Sequence, residues 1–387
     1  MSEVRVNNLS NENNTGGPTI SGITTYSSTH FFVPPQGDTA SRPSSCPSGS
    51  LRFNTDTAHL EYYRGDTIGW VEVEAELTSP LGGGSNSNEG LGNRGLFMGG
   101  NPNSSPNHSN EIDFLTISTF GNSADFGDLS RVQNQGSSFA SRTRGFLAGG
   151  NTPSSNYGST DTDMVFFSTT GNATDFATLA SIKKEAGCFS NAIRGCHNGG
   201  GGNTIQYITM TTGGDYIDFG DTSVAYEQNM DLASTTRGFT GGGNTVPAYS
   251  ASNTIEFVVI MTTGNSTNFG DLTIKGYGGG SGSNATRGIF HNRYVSPAVN
   301  NTIEFITMAT LGNSIDFGDL STDMTGYRSS GCASPTRAVK IGGYMNPGTS
   351  NTICYVDIAS LGNPIDFGDT IETAGDTGAN SNGHGGL

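Results

Sequence analysis

Basic residues, long apolar runs and tryptophan are all scarce in this chain. Its 18 lysines and arginines face 34 aspartates and glutamates, for a formal net charge of −16. That balance excludes binding to nucleic acid or to an anionic membrane surface through general electrostatics, since both need a positive footprint. No apolar run reaches the roughly 20 residues of a membrane-spanning helix, and the N-terminus, MSEVRVNNLS, lacks the apolar core of a secretion signal. Five cysteines (Cys46, Cys188, Cys196, Cys332 and Cys354) are odd in number, scattered, and contain no C-x-x-C. Buried free thiols are therefore expected, in a protein assembled in reducing cytoplasm. The six histidines never pair at metal-ligand spacing, so neither metal nor cofactor is expected. No amphipathic 3.6-residue rhythm runs far enough to mark a helix.

Glycine is abundant, with 58 of 387 residues, while hydrophobic types make up only 33%. Ser, Thr and Asn fill much of the rest, a mix that fits an all-β protein with many tight turns. The length suits one large domain plus an accessory module.

Two motifs recur. The first is GNSADFGDL from Gly121, with copies GNATDFATL from Gly171, GDYIDFGDT from Gly214, GNSTNFGDL from Gly264, GNSIDFGDL from Gly312 and GNPIDFGDT from Gly362. The second is R-G, an apolar stretch and G-G: RGLFMGG at Arg94, RGFLAGG at Arg144, RGCHNGG at Arg194 and RGFTGGG at Arg237. Looser copies are RGIFHNR at Arg287 and RAVKIGG at Arg337. The arginines are spaced 50, 50, 43, 50 and 50 apart. Positions 125, 175, 218, 268, 316 and 366 of the first motif step by 50, 43, 50, 48 and 50. Two independent markers share one period, so the repeat is real.

Between them lie apolar runs such as NTIEFVVI from Asn253 and NTIEFITM from Asn301. These read as strands, apolar on both faces and hence sandwiched between two layers. Each unit of roughly 50 residues offers four candidate strands, and stacked four-stranded units of this period form β-propellers. The glycine doublet and the period resemble kelch repeats, although the usual kelch tryptophan is missing, the only one being Trp70. The expected fold class is a six-bladed, kelch-like β-propeller over residues 93–387. The tail after Asp366 mimics the start of another unit, with His384-Gly385 near the place of R-G, and is expected to supply the closing strand. Residues 83–92, GGSNSNEGLG, compete for that slot.

Six D-F-G-like triplets are not a kinase signature, which occurs once beside a phosphate loop and an H-R-D loop. Repetition points to scaffold. The phenylalanine is expected to wedge between blades. Asp128, Asp221, Asp271, Asp319 and Asp369 are expected to cap turns or to meet Arg94, Arg144, Arg194, Arg237, Arg287 and Arg337 in ion pairs that orient more than they stabilise. Unit two loses Gly and Asp at positions 177 and 178, with nothing visible to replace them.

Residues 1–80 lack the repeat. The first 40 are too poor in apolar residues to build a core alone. Strands are expected over Ser50–Asn54, His59–Tyr63 and Gly69–Glu74 as an antiparallel meander. R-G-D at 64–66 reads as a turn between strands. Residues 81–92 read as a linker or entry strand.

The run SGSLRFNTDTAHLEYY, followed by GWVEV and opened upstream by EVRVNN, resembles a module of virion proteins from tailed bacteriophages, particularly marine and cyanobacterial phages. The glycine-rich repeats with N-T-I and D-F-G-D resemble phage structural proteins more weakly. The resemblance implies a non-enzymatic virion component assembled in the host cytoplasm, a tail fibre, spike or capsid decoration. Residues 1–80 would be its attachment and oligomerisation module, with a homo-oligomer (a trimer favoured), other virion proteins and a host-surface glycan or receptor as partners. Alternatives are a free-standing carbohydrate-binding propeller and, third, a propeller glycosidase. No catalytic residue is assigned. Glu185, Glu227 and Asp323 are unrepeated acids without a named partner, and His197 and His291 read as rim-loop histidines. No aromatic residue is expected at fixed spacing on the surface. Variable loops after the glycine doublets, such as NRYVSPAVN from Asn292 and YMNPGTS from Tyr344, are the expected place for binding.

Overall fold

The computed structural model describes residues 34–56, 59–73, 94–103, 107–155, 158–345, 348–373 and 375–382. Among them every regular element is a strand, so the protein is all-β. The chain divides into two compact units, Met1–Glu76 and Leu77–Leu387.

In the N-terminal unit, Leu51–Asn54, His59–Tyr63 and Trp70–Val73 form the expected antiparallel meander. Gln36–Gly37 adds a short parallel edge, drawn from a stretch that sequence reasoning left without structure. Its centre is polar. Glu61 is fully buried and held by Arg42 at 2.6 Å and Arg52 at 3.4 Å, with Asn54 donating to it as well. Such a pair fixes strand register better than it adds net stability. Tyr63 packs on Trp70, ring centres 5.4 Å apart. In the R-G-D turn, Tyr63 and Ser45 donate hydroxyl hydrogen bonds to Asp66, so that carboxylate serves the turn. EVRVNN and residues 81–92 lie outside the described residues.

Among the described residues the second unit holds six sheets built on the same four antiparallel strands, and two small two-stranded sheets, Tyr294–Val295 with Ala298–Val299 and Tyr344–Met345 with Gly348–Thr349. The third strands come from the N-T-I runs: Ser109–Thr116, Ser159–Phe166, Gly202–Thr209, Thr254–Val259, Thr302–Thr307 and Thr352–Asp357. In Thr302–Thr307 the side chains of Ile303, Glu304, Phe305 and Ile306 are all buried, as a strand covered on both faces requires. The second strands open on the repeated arginines, and the fourth carry D-F-G-D. The third sheet is extended by a hairpin, Asn244–Val246 with Ser250–Ala251.

The first strand of the first sheet comes from the far end of the chain. Gly378–Ser381 pairs antiparallel with Arg94–Met98. Residues 83–92 and His384-Gly385 lie outside the described residues. The first strands are rich in Gly and Ser because they approach one another closely. A Cβ on Gly378 would sit 2.3 Å from a Leu147 methyl group. Serine hydroxyls stitch neighbouring first strands, as in Ser137 to the Ala186 carbonyl at 2.7 Å and Ser381 to the Ala333 carbonyl at 2.8 Å.

Six apolar clusters lie between consecutive sheets. Leu96, Met98 and Phe126 of the first sheet pack with Leu147 and Val165 of the second. Equivalent clusters join second to third, third to fourth, fourth to fifth and fifth to sixth. The last joins sixth to first, through Val339, Ile353 and Phe367 with Phe97, Leu115 and Ala379. Phe367 reaches the next unit, 5.8 Å from the Phe120 ring. Each large apolar side chain so buried is worth about 1.5–3 kcal/mol. Stability is thus spread over the junctions between sheets rather than gathered in one core.

Candidate functional site

The repeated charges are accounted for first, because a group used in construction is not free for a ligand. The arginines do not meet the D-F-G-D aspartates. Each guanidinium instead donates to a backbone carbonyl of the following unit: Arg94 to Phe167, Arg144 to Met210, Arg194 to Ile260, Arg237 to Met308, Arg287 to Ile358 and Arg337 to Ile117, at 2.5 to 3.0 Å. Each also lies over an aromatic ring, for example Arg194 over Tyr207 at 4.2 Å. The one nearby carboxylate, Asp357 at 4.0 Å from Arg337, is not of the repeated set. A planar fork that can stack and donate at once favours this arrangement over an ion pair.

The D-F-G-D segment docks through its backbone. The amides of Asp128, Asp221, Asp271, Asp319 and Asp369 donate to the side-chain oxygens of Asn172, Asn265, Asn313, Asn363 and Asn122 in the next unit, at 2.9 to 3.1 Å. The glycine before each aspartate meets the glycine before that asparagine. A Cβ on Gly127, at φ +147°, would lie 2.5 Å from the Gly171 carbonyl. Ala177 and Thr178 break this lock, and its other half is broken too, because Asp215 stands where the partner asparagine belongs. The neighbouring Tyr216 keeps the amide bond that Ser123, Ala173, Ser266 and Ser314 also make to the preceding unit, here to the Thr178 carbonyl, and its buried ring fills the junction. What unit three adds where the lock is lost is thus the ring.

The buried acids that recur are a different set. Asp113, Asp163, Glu256 and Glu304 occupy one place on the third strands, with Gln206 and Cys354 at the remaining two. Asp163 accepts from the Ser130 amide and hydroxyl at 2.9 and 2.7 Å, and Glu304 from those of Thr273 at 2.9 and 2.6 Å. In both cases the donor belongs to the preceding sheet. The serine of G-N-S adds a bond within the same sheet, from Ser123 to Asp113, Ser266 to Glu256 and Ser314 to Glu304. Where Cys354 replaces the acid, Pro364 replaces the serine.

His197 and His291 are not rim-loop residues. Both are buried in second strands, and burial pushes each imidazole down to about 3, with Lys183 and Lys340 respectively adding to the effect. Cys188, Cys196, Cys332 and Cys354 are buried and outside any disulfide, while Cys46 is only half-buried. Glu227 is raised by burial and by Glu185, and Asp323 bonds Ser321 at the surface.

One repeated position does vary in chemistry. Gln135, Glu185, Gln228, Gly278, Arg328 and Asp376 each precede a first strand, and all six are left-handed, with φ between 52° and 66°. Their backbones form a closed hydrogen-bonded circuit. Gln135 donates to Asp376, Glu185 to Gln135, Gln228 to Glu185, Gly278 to Gln228 and Asp376 to Arg328, at 2.7 to 3.1 Å, and Arg328 donates to Gly278. The side chains line a solvent-open pocket with about 710 Å³ of free space, open solvent included. Arg328 crosses it to Glu185 at 2.7 Å and pairs with Asp376 at 3.1 Å. Burial opposes the Arg328 charge, but Asp376 and Glu185 outweigh it and raise its pKa. Asp376 is raised by burial despite Arg328 and the Tyr344 hydroxyl that donates to it at 3.0 Å. Gln228 donates to Glu185 at 3.0 Å, while Gln228 Oε1 and Arg328 Nε have no partner among the described residues.

Beside this pocket stands a row of half-buried rings. Tyr277, Tyr294, Tyr327 and Tyr344 follow one another with centres 5.4, 5.2 and 5.4 Å apart. Backbone bridges pair Tyr277 with Tyr294 and Tyr327 with Tyr344. Both pairs recur at a spacing of 50 residues, in two units and half-buried rather than exposed. Tyr294 and Tyr344 belong to the variable loops, and Arg328 lies 5.8 Å from the Tyr327 ring centre.

No known protein-family model matches the chain, and no curated protein resembles it closely enough to count as a relative.

Proposed function

We propose that the six sheets are the blades of a kelch-like six-bladed β-propeller, and that the chain is a non-enzymatic structural protein of a tailed-phage virion. In this reading the propeller is displayed on a fibre, spike or capsid decoration. Residues 1–80 attach it to other virion proteins and hold it as a trimer. The cyclic order of the apolar clusters and the backbone circuit support the propeller. The virion setting rests on the SGSLRFNTDTAHLEYY and GWVEV motifs.

The observation that carries the non-enzymatic reading is the fate of the repeated charges. The six arginines and the repeated acids of the third strands are consumed in contacts that join one sheet to another or brace a sheet. In the axial pocket both carboxylates are paired with one guanidinium.

Light scattering on the purified chain tests the attachment reading. The full-length protein is expected as a trimer, and removal of residues 1–80 is expected to release monomers. A full-length monomer would refute it.

A further inference from the structure

We propose that the tyrosine row and the axial pocket beside it bind an uncharged saccharide. The inference deepens the display reading by naming what the displayed face recognises, and it rests on that reading for its biological setting only.

The first ground is shape and surface. Four half-buried tyrosine rings stand in one line, each against the next, and their apolar rings with hydroxyl edges match a sugar ring, which has C–H faces and hydroxyl edges. The adjoining pocket, about 130 Å³ in volume, is smaller than the roughly 300–1,000 Å³ of a whole small-ligand site, so it takes one edge or substituent of a sugar docked on the rings.

The second ground is hydrogen bonding. Gln228 Oε1 and Arg328 Nε face no protein partner. Glu185 and Asp376 are acceptors with lone pairs beyond those used by Arg328. A ligand rich in hydroxyl groups can donate to Gln228 Oε1 and to the two carboxylates, and accept from the Arg328 Nε–H.

The third ground is charge. Two carboxylates and one guanidinium leave no net positive charge here. Acidic sugars, phosphates and nucleic acids meet no free cation, which selects a neutral ligand. Arg328 also lies against Tyr327 and between the two acids, in the place that an organic ammonium would need.

The fourth ground is position. The construction of the six units repeats, yet the axial position carries Gln, Glu, Gln, Gly, Arg and Asp in turn, and among the described residues the tyrosine row occurs only in the fifth and sixth units. Variation at an open pocket of a repeated scaffold is what recognition requires.

Saturation-transfer NMR on the full chain tests the proposal, with glucose, galactose, mannose and N-acetylglucosamine as probes. At least one is expected to receive saturation, and Tyr277→Leu combined with Tyr327→Leu is expected to weaken binding about fivefold or more. If that variant does not fold, the tyrosine ring signals of the wild-type protein serve instead, since the bound sugar must shift them. Absence of transfer to all four sugars overturns the proposal. So does undiminished transfer in the folded variant, or binding only of glucuronic acid or tetramethylammonium. Sugar binding and the trimer measurement read different properties, so either can fail while the other stands.

Discussion

A single methyl group can probe the docking of one unit on the next. Gly127→Ala would place a Cβ 2.5 Å from the Gly171 carbonyl while holding a φ of +147°. Denaturant unfolding should show a loss of about 1–3 kcal/mol. Gly121→Ala, also at positive φ but with nothing within 4 Å of its Cβ, should cost less. Equal losses would mean that backbone strain alone, and no inter-unit contact, requires glycine at position 127. Acid provides a second residue-scale test. His197 titrates near 6.5 when unfolded and at about 3 when folded, so only the unfolded chain takes up the proton between those values. Its contribution is intact above about 6.5 and is lost as pH falls, by up to about 1.4 kcal/mol per pH unit. Relative to His197→Gln, the wild-type chain should therefore lose stability between pH 6.5 and 4. A difference independent of pH would contradict the burial of a neutral imidazole.

The strand Gly378–Ser381 ties the far end of the second unit to its first sheet. Gly378–Ser381 completes the first sheet, Asn380 donates to Ser138 of the second at 2.6 Å, and Ser381 donates to Ala333 of the sixth. Removing residues 375–387 should lower the thermal midpoint by about 10 °C or more and expose the cluster that contains Phe97 and Val339. An unchanged midpoint would exclude a closing role. The strands themselves were legible in the sequence, since β-branched and aromatic runs between Gly and Asn leave little choice of element. The partnerships were not. A sequence shows that Arg237 and Asp271 recur, but not that Arg237 reaches the Met308 carbonyl while the Asp271 side chain is left aside and its amide is used. The role of Glu256 and Glu304 did carry a signal that went unread. An acid inside an otherwise apolar strand needs donors, and Cys354 appears together with Pro364 where the acid and its serine are both gone.

At the scale of the whole molecule, a period of about 50 residues announced six alike units, and six alike sheets are present. The candidate site was far less legible, because it is built from departures from the repeat. Glu185, Arg328 and Asp376 fall in register with the period yet are acid, base and acid, with uncharged residues at the other three positions, so a search for repeated motifs passes over them. Only the left-handed backbone, common to all six positions, reveals that they face one pocket. Tyr277 and Tyr327 were detectable by spacing but repeat in two units alone.

The central claim is that these sheets close into one ring around that pocket, with the repeated acids as part of its masonry. Electron microscopy of the purified full-length protein tests it most directly. The account predicts averages with six spokes around a central depression. An open arc, or two separate lobes of sheets, would contradict it.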